Sequence, residues 1–321
     1  PLYVMTSPSN DAETRRYFRN HVALPPEDVA FFAQDALPCL GEGGTILMEG
    51  PLKVALAPDG NGGVYRALRS KGMLDDMGRR GIKHLHFVSV DNVLTRPADP
   101  LFLGYCIEKK ADVGNKAVWR QDADEKVGVL AVEIDRNDPN IKRPCIVEYS
   151  DLSNDMRRRA NADGKLVFGA GNICSHYFTY DFIKRAVLPG MDRLYHLAEK
   201  QIPVYDPTTG GTKHIPGIKL ESFVFDPFRL ARSMAVLEVP RWDEFSPVKN
   251  AEGDGVADSP NTARRDLSRQ AKKWAKAAGA VLVDEANDGL CEIAPEISYA
   301  GEGLAGVVFN AGEDLICPFR F

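Results

Sequence analysis

A strand-like run leads straight into a helix-like run through one glycine-rich turn in KVALAPDGNGGVYRAL, residues 53–68. The turn itself is Gly60-Asn61-Gly62-Gly63. Because glycine accepts positive φ and lets backbone segments approach closely, the N–H groups of such a turn can face a base, a ribose or a phosphate. Asn-Gly and Gly-Gly pairs also mark ordinary tight turns. This stretch alone therefore leaves a simple connection and a ligand floor both open.

Strand-like and helix-like runs alternate through the first hundred residues, which predicts an α/β layered sheet. In chain order the runs are LYVMTS (strand), NDAETRRYFRNHVAL (helix), VAFFAQ (strand), GTILMEGPLKVALAP (two short strands), a helix from Gly62 to about Arg80, and KHLHFVSVDN (strand). Ligands of such sheets bind beyond the carboxyl ends of the strands. Thr6, Gln34, the Asp59 loop and Asp91-Asn92 fall at those ends.

Beyond residue 100 the pattern is mixed. KAVWRQ, VGVLAVEI and PCIVEYSDL are typical of strands joined by short links, which favours antiparallel pairing. KLVFGAGNICSHYFTYDFIKRAV is predicted as strand, loop and helix, and FDPFRLARSMAVLEVPR as helix and strand. DSPNTARRDLSRQAKKWAKAAG is predicted as a capped, basic helix. With KNAEGDGVADSPNTA as the linker candidate, we expect a catalytic domain at 1–245 and a C-terminal domain at 246–321.

Charge and cysteine usage exclude several classes of protein. A net charge of −5 gives no general attraction to nucleic acid or to an anionic membrane, so neither is a predicted partner. No apolar run approaches the roughly 18 residues of a membrane span. The six cysteines include no CxxC pair, which favours reduced thiols in the cytosol over a zinc site or disulfides. His84 and His86 share a strand face, for which an exposed or capped face is favoured over a metal site.

Three further motifs each have a ligand-binding and a purely structural interpretation. Asp91 in VSVDN is a carboxylate at a strand end, suited to Mg²⁺ or a ribose, or to capping the next turn. Asn172 in FGAGN has an amide that can both donate and accept, or it occupies a left-handed turn. Lys249 in DEFSPVKNA is a point charge for a phosphate, or a solvated surface lysine. Taken singly, none of the three establishes a ligand site.

Several sequence blocks, taken in their order along the chain, indicate a protein family. The blocks are YVMTS, FFAQDALP, APDGNGGVYRAL, RGIKHLHFVSVDNVLTRPADPLFLGYC, ADVGNKAV, IVEYSDLS, LVFGAGNICSHYFT, GIKLESFVFDPF, EVPRWDEFSPVKNA, DSPNTAR and EISYAGEGL. Together they resemble the eukaryotic UDP-N-acetylhexosamine (UDP-N-acetylglucosamine) pyrophosphorylases, and they run in family order over nearly the whole chain. Such co-linearity is far more specific than any single block.

The resemblance implies a fold and a reaction. The fold is α/β: a Rossmann-like nucleotidyltransferase (GT-A-like) mixed sheet flanked by helices, plus a small C-terminal α+β region. The reaction forms UDP-N-acetylglucosamine and pyrophosphate from UTP and N-acetylglucosamine 1-phosphate, or its N-acetylgalactosamine counterpart. A sugar-phosphate oxygen attacks the α-phosphorus of UTP in line, with Mg²⁺ as cofactor. Such an enzyme aligns two polyanions and neutralises their charge. A cytoplasmic location goes with it.

Carried over by position, the resemblance also implies residue roles at the nucleotide. Gln34, Gly60 and Asn61 would hold the uracil and ribose. Asp91 would lie near the metal and the sugar nucleotide, and Lys249 would meet the phosphates. These last two are the predicted catalytic residues, and Asp91 is the predicted metal ligand.

The remaining implied roles concern the sugar and a second phosphate contact. Gly114 and Glu148 would hold sugar hydroxyls. Asn172 would bind near the N-acetyl group, and Phe225 in FVFD would wall that pocket. Lys219 in GIKLE is the second phosphate candidate.

The chain also departs from the family pattern. Gly169 stands where the family usually has asparagine, and Ser175 replaces a usual amide. The upstream signature L-x-x-G-x-G-T-x-L-G, which wraps the UTP phosphates, does not occur in this sequence. LGEGGTILMEG lies in the wrong order for it and is interpreted as a hairpin turn. We therefore expect sequence upstream of Pro1 or a second chain to supply that loop, and little UTP turnover by residues 1–321 alone.

Two alternatives stay open at this point. One is a UDP-glucose or broad UDP-sugar pyrophosphorylase, against which FGAGN and FVFD argue because both suit an N-acyl pocket. The other is a non-catalytic nucleotide-sugar binding module.

Overall fold

The computed structural model describes residues 1–22, 24–190, 194–283, 289–306, 314–316 and 320. Its strands are β1 (Leu2–Thr6), β2 (Val29–Ala33), β3 (Ala36–Pro38), β4 (Met48–Gly50), β5 (Lys53–Val54), β6 (Leu56–Pro58), β7 (His84–Val88), β8 (Val113–Trp119), β9 (Val129–Ile134), β10 (Lys142–Val147), β11 (Ala170–Thr179), β12 (His196–Tyr205), β13 (Thr212–Glu221), β14 (Met234–Glu238), β15 (Val281–Val283) and β16 (Asp314–Ile316). Its α-helices are α1 (Asp11–His21), α2 (Val64–Ser70), α3 (Met73–Arg79), α4 (Pro100–Glu108), α5 (Asn154–Arg158), α6 (Tyr180–Phe182), α7 (Leu188–Gly190), α8 (Arg241–Glu244) and α9 (Pro260–Ala277). A π-helical turn at Ile183–Val187 joins α6 to α7.

Six strands form the largest sheet, in the order β10-β9-β11-β8-β14, with β7 also paired to β11. β14 runs parallel to β8, with Ala235 opposite Gly114. β11 runs antiparallel to β9, with Gly171 opposite Val129. The sheet is therefore mixed, which confirms the predicted α/β class. The expected pairing of consecutive strands is wrong for β8, because β11 lies between β8 and β9.

Two compact units divide the chain, each assembled from three segments. The first unit is Pro1–Leu85, Ala131–Ile146 and Phe178–Ser233, and the second is His86–Leu130, Val147–Tyr177 and Met234–Phe321. The boundary at 245 stays a prediction, but residues on both sides of it belong to the second unit. The linker candidate forms a loop whose two ends are hydrogen-bonded to each other, since the N–H groups of Lys249 and Asn250 both donate to the carbonyl oxygen of Asp258.

The first unit is built from small sheets. β1 and β2 pair in parallel, and β12 and β13 form a ten-residue antiparallel hairpin. β4 and β5, which pair antiparallel, lie in GTILMEGPLKVALAP, where two short strands were predicted, and the pairing of Leu40 with Ile46 confirms the hairpin turn predicted in LGEGGTILMEG. The core between these pieces consists of buried Cys39, Ala55, Ala57, Ile202 and Val204.

The helix predicted over residues 62–80 is two helices. α2 ends at Ser70 and α3 begins at Met73, because Gly72 takes φ of +73°. Left-handed backbone cannot continue an α-helix, and glycine adopts it at little cost. Each helix nevertheless buries an apolar side chain, Leu68 in α2 and Met77 in α3.

The second unit contains the capped helix as predicted. Ser259 and Thr262 form a capping box at the start of α9, with Pro260 in the first turn. One face of α9 buries Ala271 and Ala275 against the chain that follows it. No helix within the described parts of the chain combines the length and apolar character that crossing a bilayer requires.

The stretch around FGAGN differs from the prediction of strand, loop and helix. The strand is β11, Ala170–Thr179, so the segment predicted as a loop forms its first half. Asn172 therefore lies near the amino end of a strand and not beyond a carboxyl end. The two glycines resemble a turn in sequence, but Gly171 packs in the ladder with its Cβ position 3.2 Å from the carbonyl oxygen of Val118. The helical stretch after Thr179 is confirmed.

Candidate functional site

The glycine-rich turn lies against the segment that follows β13, within the first unit. Gly60 has φ of +82°, and a Cβ atom there would lie 2.4 Å from the carbonyl oxygen of Ser222. A Cβ atom on Gly62 would lie 2.7 Å from the backbone of Phe223. Both positions require glycine, because two backbone segments meet where a side chain would stand.

Hydrogen bonds join the turn to this segment at three points. The N–H of Ser222 donates to the carbonyl oxygen of Asp59 at 2.8 Å, and the N–H of Gly62 donates to that of Ser222 at 2.8 Å. The N–H of Val224 donates to Oδ1 of Asn61 at 2.9 Å. The Asn61 side chain is exposed, and its amide NH₂ takes no part in that bond. The amide therefore remains able to donate to a ligand.

Phe225 follows directly on the same segment. Its ring is buried and stacks on Phe223, with ring centroids 5.2 Å apart. Asp226 fixes the segment, because its carboxylate accepts from the N–H of Phe223 at 2.7 Å and contacts Nε2 of His196 at 2.8 Å. The structure thus brings Gly60, Asn61 and Phe225 into one neighbourhood. The role of Phe225 as a wall for the sugar stays a prediction.

Asp59 was not singled out from the sequence, yet it is the most buried charge of the turn. Its side chain is 2% exposed and lies so close to Gly63 that a Cβ atom there would be 1.9 Å from Oδ1. Nη1 of Arg66 lies 3.4 Å from Oδ2. Burial raises the pKa of the Asp59 carboxyl, and the Arg66 charge opposes that rise only in part. The signal in the sequence was the Asp-Gly pair at the start of the turn.

Gln34 and Lys219 lie in the same unit, half-buried. Gln34 follows β2, and its N–H donates to the carbonyl oxygen of Thr6 at 2.8 Å. Lys219 lies in β13 opposite Ala198. Across the described residues, no hydrogen bond joins either side chain to the glycine-rich turn. Their predicted roles therefore remain predictions.

Asp91 and Lys249 lie on two backbone segments of the second unit that are fastened together. The N–H of Val248 donates to the carbonyl oxygen of Asp91 at 2.8 Å, and Asn92 pairs with Pro247 in an antiparallel bridge. Lys249 is the next residue along, and its side chain is exposed. The structure therefore brings the two predicted catalytic residues close together along the backbone.

A buried asparagine missed by the sequence reasoning makes this connection. Asn92 is 5% exposed. Its Nδ2 donates to the carbonyl oxygen of Glu244 at 2.7 Å, and its Oδ1 accepts from the N–H of Ser246 at 2.9 Å. Oδ1 also accepts from the N–H of Leu94 at 3.3 Å. The sequence placed Asn92 at a strand end but offered no signal that its side chain points into the protein.

A buried lysine, also missed, holds the other side of this segment. The Lys116 side chain in β8 is 1% exposed, and its Nζ lies 2.5 Å from Asp99 and 2.6 Å from Glu244. Burial would raise the pKa of Asp99, but the hydrogen bond and charge of Lys116 outweigh it and hold that pKa below its usual value. A lysine inside an otherwise apolar strand was the available signal, since such a charge is buried only when paired.

Asn172 is joined to Cys174, whose thiol is within reach of the charges of Asp91 and Glu148. Oδ1 of Asn172 accepts from the N–H of Cys174 at 3.0 Å, and Cys174 takes φ of +52°. Burial raises the pKa of the Cys174 thiol to about 12, with further contributions from the charges of Asp91 and Glu148. The carbonyl oxygen of Cys174 accepts from the N–H of Ser89, two residues before Asp91. Asn172 thus contacts the backbone of Cys174, while the charges of Asp91 and Glu148 act on its thiol.

Gly114 is placed differently. It is buried near the start of β8, and a Cβ atom there would lie 2.4 Å from Sγ of Cys106 and 3.1 Å from Cβ of Tyr177. Close packing alone therefore requires glycine at this position. A contact with sugar hydroxyls stays a prediction.

The residues around Asp91 fit a magnesium ion that is shared with phosphates. Among the described residues, no three His, Cys, Asp or Glu side chains are grouped as metal ligands. One oxygen of Asp91 accepts a short hydrogen bond from Oγ of Ser89, which leaves the second oxygen for a ligand. Mg²⁺ commonly uses one or two carboxylates and completes its shell with water and substrate phosphates. A single carboxylate with one oxygen left for a ligand suits that mode of binding.

Comparison with known proteins supports the family resemblance inferred from the sequence blocks. The family model described as UTP–glucose-1-phosphate uridylyltransferase matches residues 1–283. The UDP-N-acetylglucosamine pyrophosphorylase of Saccharomyces cerevisiae is 40% identical over 322 residues, which cover 97% of this chain and 65% of the relative. The human UDP-N-acetylhexosamine pyrophosphorylase-like protein 1 is 42% identical over 339 residues, which cover 99% of this chain and 65% of the relative. The chain thus spans less than two thirds of the length of these relatives.

A solved structure agrees with the sequence relatives. The uridine diphosphate N-acetylglucosamine pyrophosphorylase from Trypanosoma brucei, solved in complex with an inhibitor, aligns with a TM-score of 0.81 and 33% identity. The alignment covers 95% of this chain and 63% of that one. These comparisons confirm the resemblance inferred from the sequence blocks.

Proposed function

We propose, from the premise that this chain belongs to the UTP–glucose-1-phosphate uridylyltransferase family, that it serves uridylyl transfer to an N-acetylhexosamine 1-phosphate. A phosphate oxygen of N-acetylglucosamine 1-phosphate forms a bond to the α-phosphorus of UTP. The bond from that phosphorus to the β-phosphate oxygen breaks, and pyrophosphate leaves. The product is UDP-N-acetylglucosamine, and N-acetylgalactosamine 1-phosphate is a second acceptor. The location proposed for this activity is the cytoplasm.

The observation that carries the proposal is the hydrogen bond from Val248 to Asp91, because it places a carboxylate and the Lys249 ammonium on adjacent segments. Phosphoryl transfer needs charge neutralisation and alignment more than covalent chemistry. Lys249 would neutralise phosphate oxygens as a point charge. Asp91 would hold Mg²⁺, which when bound supplies further charge neutralisation at the phosphates.

The remaining residues have binding roles in this proposal. The Gly60-Asn61 turn and Gln34 hold the uridine, with the free Asn61 amide as donor. Asn172 and Glu148 receive the sugar, and the bond from the Cys174 N–H to Oδ1 of Asn172 supports a fixed orientation of the amide. Gly114, Phe225 and Lys219 complete the proposed set, as sugar, N-acetyl and phosphate contacts.

Calorimetry with UDP-N-acetylglucosamine, with and without MgCl₂, tests the proposal on the chain as it stands. We expect Lys249→Ala to weaken binding about tenfold or more, the scale of a lost charge-assisted hydrogen bond. Asp91→Asn should remove the part of the affinity that depends on MgCl₂. Lys165→Ala is the matched control, because Lys165 is an exposed lysine of the same unit whose side chain is 68% exposed.

Two results would overturn the proposal. One is no binding of UDP-N-acetylglucosamine by the unsubstituted chain at millimolar concentration. The other is equal affinity for UDP-glucose, which would contradict the N-acetyl assignment and favour the UDP-glucose alternative. Pyrophosphate release from UTP and the sugar phosphate is expected to be weak for residues 1–321 alone. A longer protein that includes the upstream signature L-x-x-G-x-G-T-x-L-G should release pyrophosphate. If it binds UDP-N-acetylglucosamine but releases no pyrophosphate, a non-catalytic binding protein would be favoured instead.

A further inference from the structure

We propose that Asn92 is a positioning residue that holds Asp91 and Lys249 at a fixed separation for a nucleoside diphosphate ligand. The identity of the ligand rests on the proposed function. The cross-link itself rests on hydrogen bonds that can be tested without any ligand.

The Asn92 side chain is buried, and its donor and acceptor both serve the segment that leads to Lys249. Nδ2 donates to the carbonyl oxygen of Glu244, and Oδ1 accepts from the N–H of Ser246. Two residues beyond Ser246, the N–H of Val248 donates to the carbonyl oxygen of Asp91. Truncation of Asn92 would leave two buried backbone groups of this segment unpaired. Unpaired buried groups are costly, so the segment would shift to find other partners.

The two ends of the cross-link are anchored independently of Asn92. Glu244 is held by the buried Nζ of Lys116. Phe245 packs in an apolar cluster with Val118 and Ile173. Asn92 therefore adds buried side-chain hydrogen bonds to the two backbone bonds, Val93 to Ser246 and Val248 to Asp91, that join the core-fixed segment to the turn that carries Asp91.

The turn itself is anchored on the strand beside it. The N–H of Ser89 donates to the carbonyl oxygen of Cys174 at 3.1 Å, and Oγ of Ser89 donates to the Asp91 carboxylate. The exposed Lys249 side chain extends from this segment, and its Nζ lies 3.5 Å from the carbonyl oxygen of Lys126. Catalytic groups that contact the same phosphates lose efficiency when they are displaced by about 1 Å. The Asn92 cross-link would prevent such a displacement.

Hydrogen exchange of the Val248 amide reports directly on the cross-link. We expect Asn92→Ala to speed exchange in the peptide that contains Val248 about tenfold or more, as local opening becomes easier. Ser268→Ala is the matched control, because Oγ of buried Ser268 accepts from the N–H of Cys291 at 2.8 Å elsewhere in the same unit. Unchanged exchange at Val248 in Asn92→Ala would overturn the inference.

Ligand binding separates positioning from general damage. We expect Asn92→Ala to weaken UDP-N-acetylglucosamine binding in MgCl₂ about tenfold, the scale of one lost buried hydrogen bond, and Ser268→Ala to leave it unchanged. Binding of uridine, which has no phosphate, should be unchanged in both variants when followed by ligand-observed NMR. Equal weakening of both ligands would indicate damage to the fold and overturn the positioning role. If the unsubstituted chain binds no UDP-N-acetylglucosamine, the proposed function fails, while the exchange measurement still decides whether Asn92 makes the cross-link.

Discussion

The indole ring of Trp119 lies where a side chain on Gly169 would stand: a Cβ atom at residue 169 would be 2.4 Å from Cζ2 of the ring. Trp119 ends β8, and Gly169 comes just before β11. The glycine of FGAGN, which departs from the asparagine usual in the resembling family, therefore has a steric partner in this chain. The two positions are coupled, because a larger residue at one requires a smaller residue at the other.

We expect Gly169→Ala to lower the free energy of unfolding by about 1–3 kcal/mol, the usual cost of overpacking. The cost should shrink when the same change is made in a Trp119→Ala background, and urea denaturation of the four proteins gives the coupling. Gly104→Ala is the control, because nothing lies within 4 Å of its Cβ position in α4. An equal cost in both backgrounds would contradict the coupling.

The second prediction concerns the packing of the glycine-rich turn. Gly62→Ala should destabilise the protein by about 2 kcal/mol or more and weaken uridine binding, because its Cβ atom would collide with the Phe223 backbone, which cannot rotate away. Gly211→Ala is the matched control in the same unit, since its Cβ position makes only ordinary contact with Thr209. Chemical denaturation measures the first effect and ligand-observed NMR the second. A Gly62→Ala protein as stable as the Gly211→Ala protein would show that the turn does not pack as described.

The sequence predicted local elements wherever the signal was local. The start of α9 followed from Ser259 and Pro260, and the mixed α/β class followed from the alternation of runs. The placement of β11 between β8 and β9 could not be predicted, because strand neighbours are chosen by packing far apart in sequence. The division of one predicted helix at Gly72 depended on a single backbone angle that hydrophobic spacing does not encode.

The candidate site shows the same limit. Asp91 and Lys249 could be singled out by residue type and context, and the structure brings them together. Asn92 could not, because its importance lies in burial, and polar residues read from sequence are assigned to the surface by default. Lys116 did offer a signal, a charge within a strand, but that signal was not used. Gly114 is the opposite case, because the family resemblance assigns it a contact with the sugar, whereas the structure shows that packing against Cys106 already requires glycine there.

The cap of α9 supports a third prediction. Ser259 is fully buried, and its Oγ accepts from the N–H of Thr262 and donates to the carbonyl oxygen of Val256. Ser259→Ala should cost about 1–2 kcal/mol of stability, since it removes an N-cap and the hydrogen bond to the carbonyl oxygen of Val256. Urea denaturation measures this, with the exposed Ser150→Ala as control. A loss no greater than that of the control would mean that the capping box contributes nothing to stability.

The half-buried imidazole of His86 makes the protein less stable at acid pH. Nδ1 of His86 accepts from the N–H of Ala98 at 3.0 Å, and Nε2 lies 2.8 Å from Oγ of Ser175, a pairing that suits the neutral ring. Burial first, and then the charge of Lys116, lower the pKa of His86 from 6.5 to about 4, although Asp99 acts in the other direction. The unfolded chain therefore binds a proton between about pH 6.5 and 4 that the folded chain refuses.

Stability should thus be full above pH 6.5 and fall as the pH drops toward 4, by up to about 3 kcal/mol from His86. His86→Gln should make the slope of unfolding free energy against pH shallower over that window, because the titrating group is gone. A remaining slope is expected from His176, whose pKa burial lowers to about 3. Urea denaturation at several pH values from 4.5 to 7.5 measures the slopes, with the exposed His214→Gln as control. Parallel curves for His86→Gln and the unsubstituted chain would mean that His86 does not resist protonation in the folded state.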